Sequence, residues 1–462
     1  MYVHFISLFH KWVIALSELP YYCVFQIHFT AMKLHVLSCL SALLFAFAAV
    51  GQQQPTVTSA EALTDYIALL SSDSLQGRRT FSPGLHKAGN FIAAQFKAAG
   101  IRPWAGATGY LQPFTMVTAS PQQVAIRWGG KQVPAEYCIG ILSTQRLHFN
   151  GQTALAIDSI TNKADFQAKI SGLLHPQRNT LVWISSDLQA PFASLRQYLS
   201  GQAVFEGSPS VVFILADHFA GDFDIRIQNK VESLHAANVL GVLPGKSKPE
   251  EYIIFSAHYD HLGTDGSLKG DTIYNGANDD ASGCAAVMAL ARYFGKKGGN
   301  ARSLVFVTFA GEEEGGYGSR YFSRQLDPAK VIAMVNIEMI GTPSKWGKNA
   351  AYLTGFEQSS LGRLLQRNLG KGAFSLHPDP YPKAHLFYRS DNATLARLGV
   401  PAHTISTAQM DAEPHYHQVS DEIGTLDINN MVSIVQGIAT GVQGLVDGTD
   451  TPSRVQPENL SR

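Results

Sequence analysis

The stretch Tyr252-Ile253-Ile254-Phe255-Ser256-Ala257-His258-Tyr259-Asp260-His261 runs from an apolar segment straight into two imidazoles and a carboxylate. A short, unbroken apolar run of this kind reads as a strand buried on both faces, as in sheets covered by helices. Three more runs have the same form, at 303–310, 331–340 and 402–406. Each leads into chemistry. The second is followed by Gly311-Glu312-Glu313-Glu314-Gly315, the third contains Glu338 close to its end, and the fourth precedes a loop with His415-Tyr416-His417. Between the first two lies Asn278-Asp279-Asp280-Ala281-Ser282-Gly283, which opens a helical pattern with Cys284, Val287, Met288 and Ala291 on one face. Strands alternating with helices predict an α/β fold, a central mostly parallel or mixed sheet flanked by helices. In such sheets ligands gather at the carboxyl ends of the strands.

Outward from this core, residues 236–447 read as one catalytic domain. Two helical patterns lead into it within 55–118. One spans 59–70 with Ser59 as its N-cap, and the other spans 86–99 and stops at Gly100. Residues 119–235 read as an inserted, smaller β-rich domain with strands near 124–128, 180–185 and 210–215 and a helix at 163–170. The polar segment 448–462 is expected to be a flexible tail. At the other end, MKLHVLSCLSALLFAFAAVG from Met32 has a short cationic start, an apolar core and small residues. This is the layout of a signal peptide over 32–51, with 1–31 an upstream mis-start. The apolar core falls short of the ~20 residues a membrane span needs. The expectation is an exported protein, periplasmic or extracellular, with no membrane span in the mature chain.

Lys+Arg and Asp+Glu both number 36, so the formal charge is zero and nothing points to nucleic-acid binding. Beyond the leader, Cys138 and Cys284 remain, enough for one bridge and too few for a disulfide framework. Cys284, inside a helical pattern, reads as a small buried apolar residue.

The polar residue types at the strand ends suggest a cofactor. The clusters supply at least two histidines and three carboxylates, a combination that suits zinc, which accepts nitrogen and oxygen donors. Without compensation these carboxylates repel one another and are costly to bury. A pair of divalent ions removes that cost, with a bridging carboxylate holding them ~3.5–4 Å apart. Asp260 fits the carboxylate that orients a ligating imidazole. A lone histidine, a Glu-Glu-Glu loop or an Asp-Asp cap is ordinary by itself; five such clusters at the ends of apolar elements are not.

At these residues the chain resembles the secreted bacterial dizinc aminopeptidases, a family related to glutamate carboxypeptidase-like enzymes, glutaminyl cyclases and the transferrin receptor ectodomain. The resemblance lies in SAHYDHLG (256–263), NGANDDASG (275–283), FAGEEEGGYGS (309–319), VNIEMIG (335–341) and YHQVSDE (416–422), with NVLGVLPG (238–245) and RSDNATLARLGVPA (389–402) in support. GRR and SPG near 77–84 are also similar to the family's leading segment. The resemblance implies two Zn2+ ions. His258 and Glu338 would serve one, Glu313 and His417 the other, with Asp279 bridging. It implies Glu312 as general base, Asp260 as its supporting carboxylate, and a cis peptide between Asp279 and Asp280. The family more often has Asp at the position of Glu338. His415 is an alternative to His417, while His261 and Glu314 read as outer or solvated residues. Arg389 and Asp391 read either as pocket residues or as a surface salt bridge. The insert is faintly similar to a protease-associated domain.

The implied activity is a zinc exopeptidase, an aminopeptidase that removes N-terminal residues from peptide substrates with metal-activated water. Alternatives on the same fold are a glutaminyl cyclase-like acyltransferase, a carboxypeptidase or a non-catalytic binding ectodomain.

Overall fold

A computed structural model describes residues 56–104, 106–174 and 176–456. The expected leader at 32–51 and the mis-start at 1–31 lie outside the described residues. Eight longer strands of the main sheet position the site: β1 (Leu111–Trp128), β2 (Phe223–Leu243), β3 (Lys248–His258), β4 (Arg302–Phe309), β5 (Val331–Ile337), β6 (Ala350–Leu353), β7 (Ser375–Pro378) and β8 (Ala402–Ser406). Their order is β7-β6-β8-β5-β3-β4-β2-β1. The central four, β8, β5, β3 and β4, run parallel. β1 pairs antiparallel with β2, β2 with β4 and β6 with β8, while β6 and β7 are parallel, so the sheet is mixed.

The apolar runs become central strands because both of their faces are covered. Ile253, Ile254, Phe255 and all of β4 are buried. One face carries helices α1 (Ala60–Leu70), α2 (Pro83–Ala98), α3 (Gly283–Lys297) and α4 (Ile428–Gly441). Burying each large aliphatic or aromatic side chain contributes roughly 1.5–3 kcal/mol. Ser59 caps α1 by accepting from the Ala62 amide, as its sequence position implies. α3 departs from the one-sided expectation. Ala285, Ala286, Ala289 and Leu290 are buried along with Cys284, Val287, Met288 and Ala291, because α3 lies between the sheet and α1, α2 and α4. Cys138 and Cys284 are both free and buried, and the Cys284 thiol donates to the His258 carbonyl.

Two expectations about organisation need correction. The boundaries drawn at 119 and 235 fall inside β1 and β2, which pair continuously from Leu111↔Val239 to Trp128↔Phe223 apart from one irregularity at Gln228/Asn229. Alternation breaks at Pro121 and the polar residues near it, so the sequence shows only the apolar far end of β1 as a strand. The region between also holds more helix than a β-rich domain implies. Its four-stranded sheet (Cys138–Ile141, Val211–Ala216, Thr180–Ser185, Ala156–Ile160) is packed between the far ends of β1 and β2 and two helices, Lys163–Leu173 and Gln189–Leu199.

The second correction concerns the tail, which is tied down as far as residue 456. The buried Arg302 guanidinium donates to the carbonyls of Leu445 and Asp450 and to Thr451 Oγ1, and Val455 is buried against the sheet. A polar sequence does not reveal that its backbone carbonyls satisfy a buried arginine.

On β8, His403 is fully buried. Its Nδ1–H donates to the Thr354 carbonyl at 2.8 Å, which leaves Nε2 to accept from the Ser359 hydroxyl at 2.7 Å. Burial pushes its pKa down to about 4. The native state therefore binds fewer protons than the unfolded chain. Stability is full above pH ~6.5 and is lost as pH falls towards 4, by up to about 3 kcal/mol. Urea unfolding at pH 7.5 and pH 5 should show a drop that shrinks in His403→Gln. An equal drop in the variant would exclude His403 as the source.

Candidate metal centre and active site

The carboxyl ends of β3, β4, β5 and β8 and the start of α3 deliver the expected side chains to one crevice. β3 ends in His258, and its Nε2 lies 3.2 Å from Asp279 Oδ1. The loop after β8 brings His417, whose Nε2 is 3.3 Å from Asp279 Oδ2 and 3.2 Å from Glu313 Oε2. His417 has φ 56°, a conformation that costs a non-glycine residue of order 1 kcal/mol, and its ring stacks on Tyr416 with centroids 4.0 Å apart. His415 instead meets Ser420, 2.9 Å away.

Asp279 sits just before α3, and the Asp279–Asp280 peptide is cis. Asp421 holds this segment by accepting from the amides of Asn278 (2.8 Å) and Asp279 (3.0 Å). Asp280 points the other way. It accepts from the amides of Gly283 and Met339 with one oxygen and from that of His258 with the other, which ties β3, β5 and α3 together. At Gly283 a Cβ would stand 2.2 Å from the Ile337 carbonyl, so only glycine lets α3 start this close to β5.

Asp260 does more than orient His258, whose Nδ1 is 3.3 Å from its backbone carbonyl and 3.8 Å from Oδ1. Its carboxylate accepts from the Glu312 amide at 3.1 Å, the Glu313 amide at 3.3 Å and the Thr80 hydroxyl at 3.0 Å. The carboxylate thus fixes the backbone that carries both glutamates. Glu314 is set apart and pairs with Arg79 at the surface.

The cluster's charges are strongly coupled. Burial alone would raise Asp279, yet its hydrogen bonds to His258 and His417 hold it below the usual carboxylate range. Burial lowers His417, but Asp279 and Glu313 outweigh it and bring the imidazole up to about 10. Glu338 is pushed up to about 7 by burial, reinforced by Asp279 and Glu313 and opposed by His258. Glu312 is raised well above the ordinary range by burial, opposed by His258 and reinforced by Glu338 and Asp391. As ionised groups these carboxylates need compensating positive charge, from imidazolium protons or divalent cations; without it burial favours their neutral form.

The donor set fits zinc. Zn–N and Zn–O bonds of ~2.0–2.1 Å around a tetrahedron place neighbouring donors about 3.3 Å apart. The contacts of His258 and His417 with Asp279, and of His417 with Glu313, are 3.2–3.3 Å. The two oxygens of Asp279 face different imidazoles. Glu338 Oε2 is buried without a hydrogen-bond partner, an acceptor oriented for a cation.

Residues 238–442 match Peptidase family M28. A probable zinc metalloprotease of Pyricularia oryzae is 38% identical over 108 residues, 23% of this chain and 21% of that protein. The chain spans 21–32% of the length of this and other fungal relatives. Among solved structures, an aminopeptidase from Aneurinibacillus sp. strain AM-1 superposes with a TM-score of 0.51 at 19% identity, covering 87% of this chain and 97% of its own. A zinc aminopeptidase from Bacillus subtilis gives 0.50 at 16% identity, covering 87% of this chain and 99% of its own. These likenesses establish the fold: a mixed α/β sheet flanked by helices, shared with these two aminopeptidase structures.

The sequence leaves four groups around this site unassigned or open between two readings. Asp421 is the Asp of YHQVSDE, so the motif contained it without showing what it holds. Arg78 is fully buried and donates to the carbonyls of Leu70, Tyr259, Asn275 and Gly276. Asp391 is buried, and neither of its carboxylate oxygens has a hydrogen-bond partner, which rules out a surface salt bridge. His261, read as outer or solvated, is buried with Nδ1 2.9 Å from Glu313 Oε1.

Proposed function

We propose that this chain is a zinc-dependent exopeptidase, an aminopeptidase holding two zinc ions and acting outside the cytoplasm. The observation that carries the reading is Asp279, whose two oxygens face His258 and His417 at 3.2 and 3.3 Å. His258 and Glu338 would hold one ion, His417 and Glu313 the other, with Asp279 shared. Zinc there supplies Lewis acidity, polarising the scissile carbonyl and acidifying water. The chain's own residues do the rest. Glu312, fixed through its amide by Asp260, takes the proton from water and returns it to the leaving amine. A raised carboxyl pKa suits that shuttle. A recess lined by Glu338, Tyr352, Arg389, Thr404, Ser406 and Tyr416 opens beside the cluster, and we place the substrate side chain there. The signal-peptide layout at 32–51 supports export. The described residues contain no helix long and apolar enough to cross a membrane.

The test is a panel of matched peptides with free and acetylated N-termini, assayed with and without chelator. Free N-termini should be cleaved, acetylated ones spared, and chelator should remove activity that added zinc restores. Cleavage of acetylated peptides from the carboxyl end would make it a carboxypeptidase. Cyclisation of N-terminal glutamine without hydrolysis would make it an acyltransferase.

A further inference from the structure

We propose that His261 is a positioning residue for the second metal. It donates a hydrogen bond to one oxygen of Glu313 and so commits the other oxygen to the ion. The proposal rests on the two-zinc reading above, and three observations carry it.

The first is the division of labour within the Glu313 carboxylate. Oε1 lies 2.9 Å from His261 Nδ1, whereas Oε2 lies 3.2 Å from His417 Nε2. A carboxylate oxygen only accepts, so Nδ1 carries the proton and donates. His261 Nδ1 is 4.0 Å from Asp279 Oδ2, longer than the 3.2–3.3 Å separations among the proposed ligating atoms. The ring therefore serves Glu313 more directly than it serves a shared ion.

The second is burial. His261 is 1% exposed, and its Nε2 has no hydrogen-bond partner. Burying an imidazole with one nitrogen unsatisfied costs stability. The bond that Nδ1 makes is what the protein gains from that placement.

The third is the cradle built for the ring. Gly276 has φ 59°, and a Cβ there would lie 2.6 Å from His261 Cδ2 and 2.7 Å from Cγ. The backbone of His261 is fixed as well, since its amide donates to the Arg78 carbonyl at 3.2 Å. The ring also meets His417 edge-on, with centroids 5.9 Å apart, so one imidazole orients the glutamate while the other shares its free oxygen. Groups that orient metal ligands typically contribute 10–100-fold to metal affinity.

The experiment is a zinc titration of the chelator-stripped full chain against a chromophoric competitor, for wild type, His261→Asn, His261→Gln and His261→Leu. Thermal unfolding of each stripped protein reports its fold. Wild type should bind two zinc ions. His261→Asn places an amide N–H where Nδ1 lies and should keep both affinities within a few-fold. His261→Gln places its N–H at the distant Nε2 position, and it should weaken one of the two sites by 10–100-fold while sparing the other. His261→Leu should do the same if it folds, and His261→Gln carries the test if it does not. Unchanged affinities in His261→Gln would overturn the proposal, as would equal losses in Asn and Gln, which would make the ring itself a ligand. Fewer than two zinc ions in the wild type would instead overturn the two-zinc reading and this proposal with it.

Discussion

Glu312→Gln is expected to lower kcat by about 10²–10⁴ while leaving zinc content unchanged. The amide keeps the size of the side chain and, as neighbour to Glu313, disturbs no proposed ligand. The Asp260 hydrogen bond goes to the Glu312 backbone, so the loop keeps its anchor. What is lost is the ability to take a proton from water and give it to the amine. Because such a group acts only as the transition state forms, KM should move far less than kcat. Steady-state kinetics paired with metal analysis separates this from a ligand defect. A variant that retains wild-type turnover would remove Glu312 from the mechanism, and one that loses zinc would make it a ligand.

Arg78→Leu is expected to cost about 3–5 kcal/mol of stability, because several buried carbonyls lose a charged donor at about 1–3 kcal/mol each. The guanidinium is fully buried and joins three segments by donating to the Leu70 carbonyl at the end of α1, the Tyr259 carbonyl between His258 and Asp260, and the carbonyls of Asn275 and Gly276 before Asp279. Leucine leaves the carbonyls of Leu70, Tyr259 and Asn275 without this donor, while Gly276 keeps its longer bond from the Ala281 amide at 3.3 Å. Arg78→Lys keeps a charge but lacks the planar fork, so it should recover only part of the loss. Urea unfolding gives the magnitude. A loss below about 1 kcal/mol would show that these carbonyls find other donors. Zinc affinity should fall in both variants, because the same carbonyls set the loops bearing His258 and Asp279.

The strand-end pattern was legible for a local reason. A strand buried on both faces must be apolar throughout, so the point where β3 gives way to His258 and Asp260 stands out as a change in residue type. The same holds for β4 and Glu312-Glu313. The helix caps at Ser59 and Asp427 act within three residues and were equally accessible to a sequence reading, although only Ser59 was read. The flanks of the middle region were not legible. β1 and β2 pair along their length, but the middle of the ladder, 120–123 against 228–230, holds polar residues and Pro121 with β1 exposed there, so alternation in β1 fails where pairing continues.

The sequence by itself determined the α/β class, the parallel centre of the sheet and the set of donors at its carboxyl edge, because periodicity and residue type act over a few positions. Tertiary structure alone decided how those donors are held. His261 meets Glu313 across 52 residues, Asp421 holds the Asp279 amide across 142, and Arg78 reaches Gly276 across 198. A residue's local pattern cannot reveal a partner that only the folded sheet brings within 3 Å. That is why the histidine shortly after His258 reads as outer or solvated in the chain and stands buried against Glu313 in the fold.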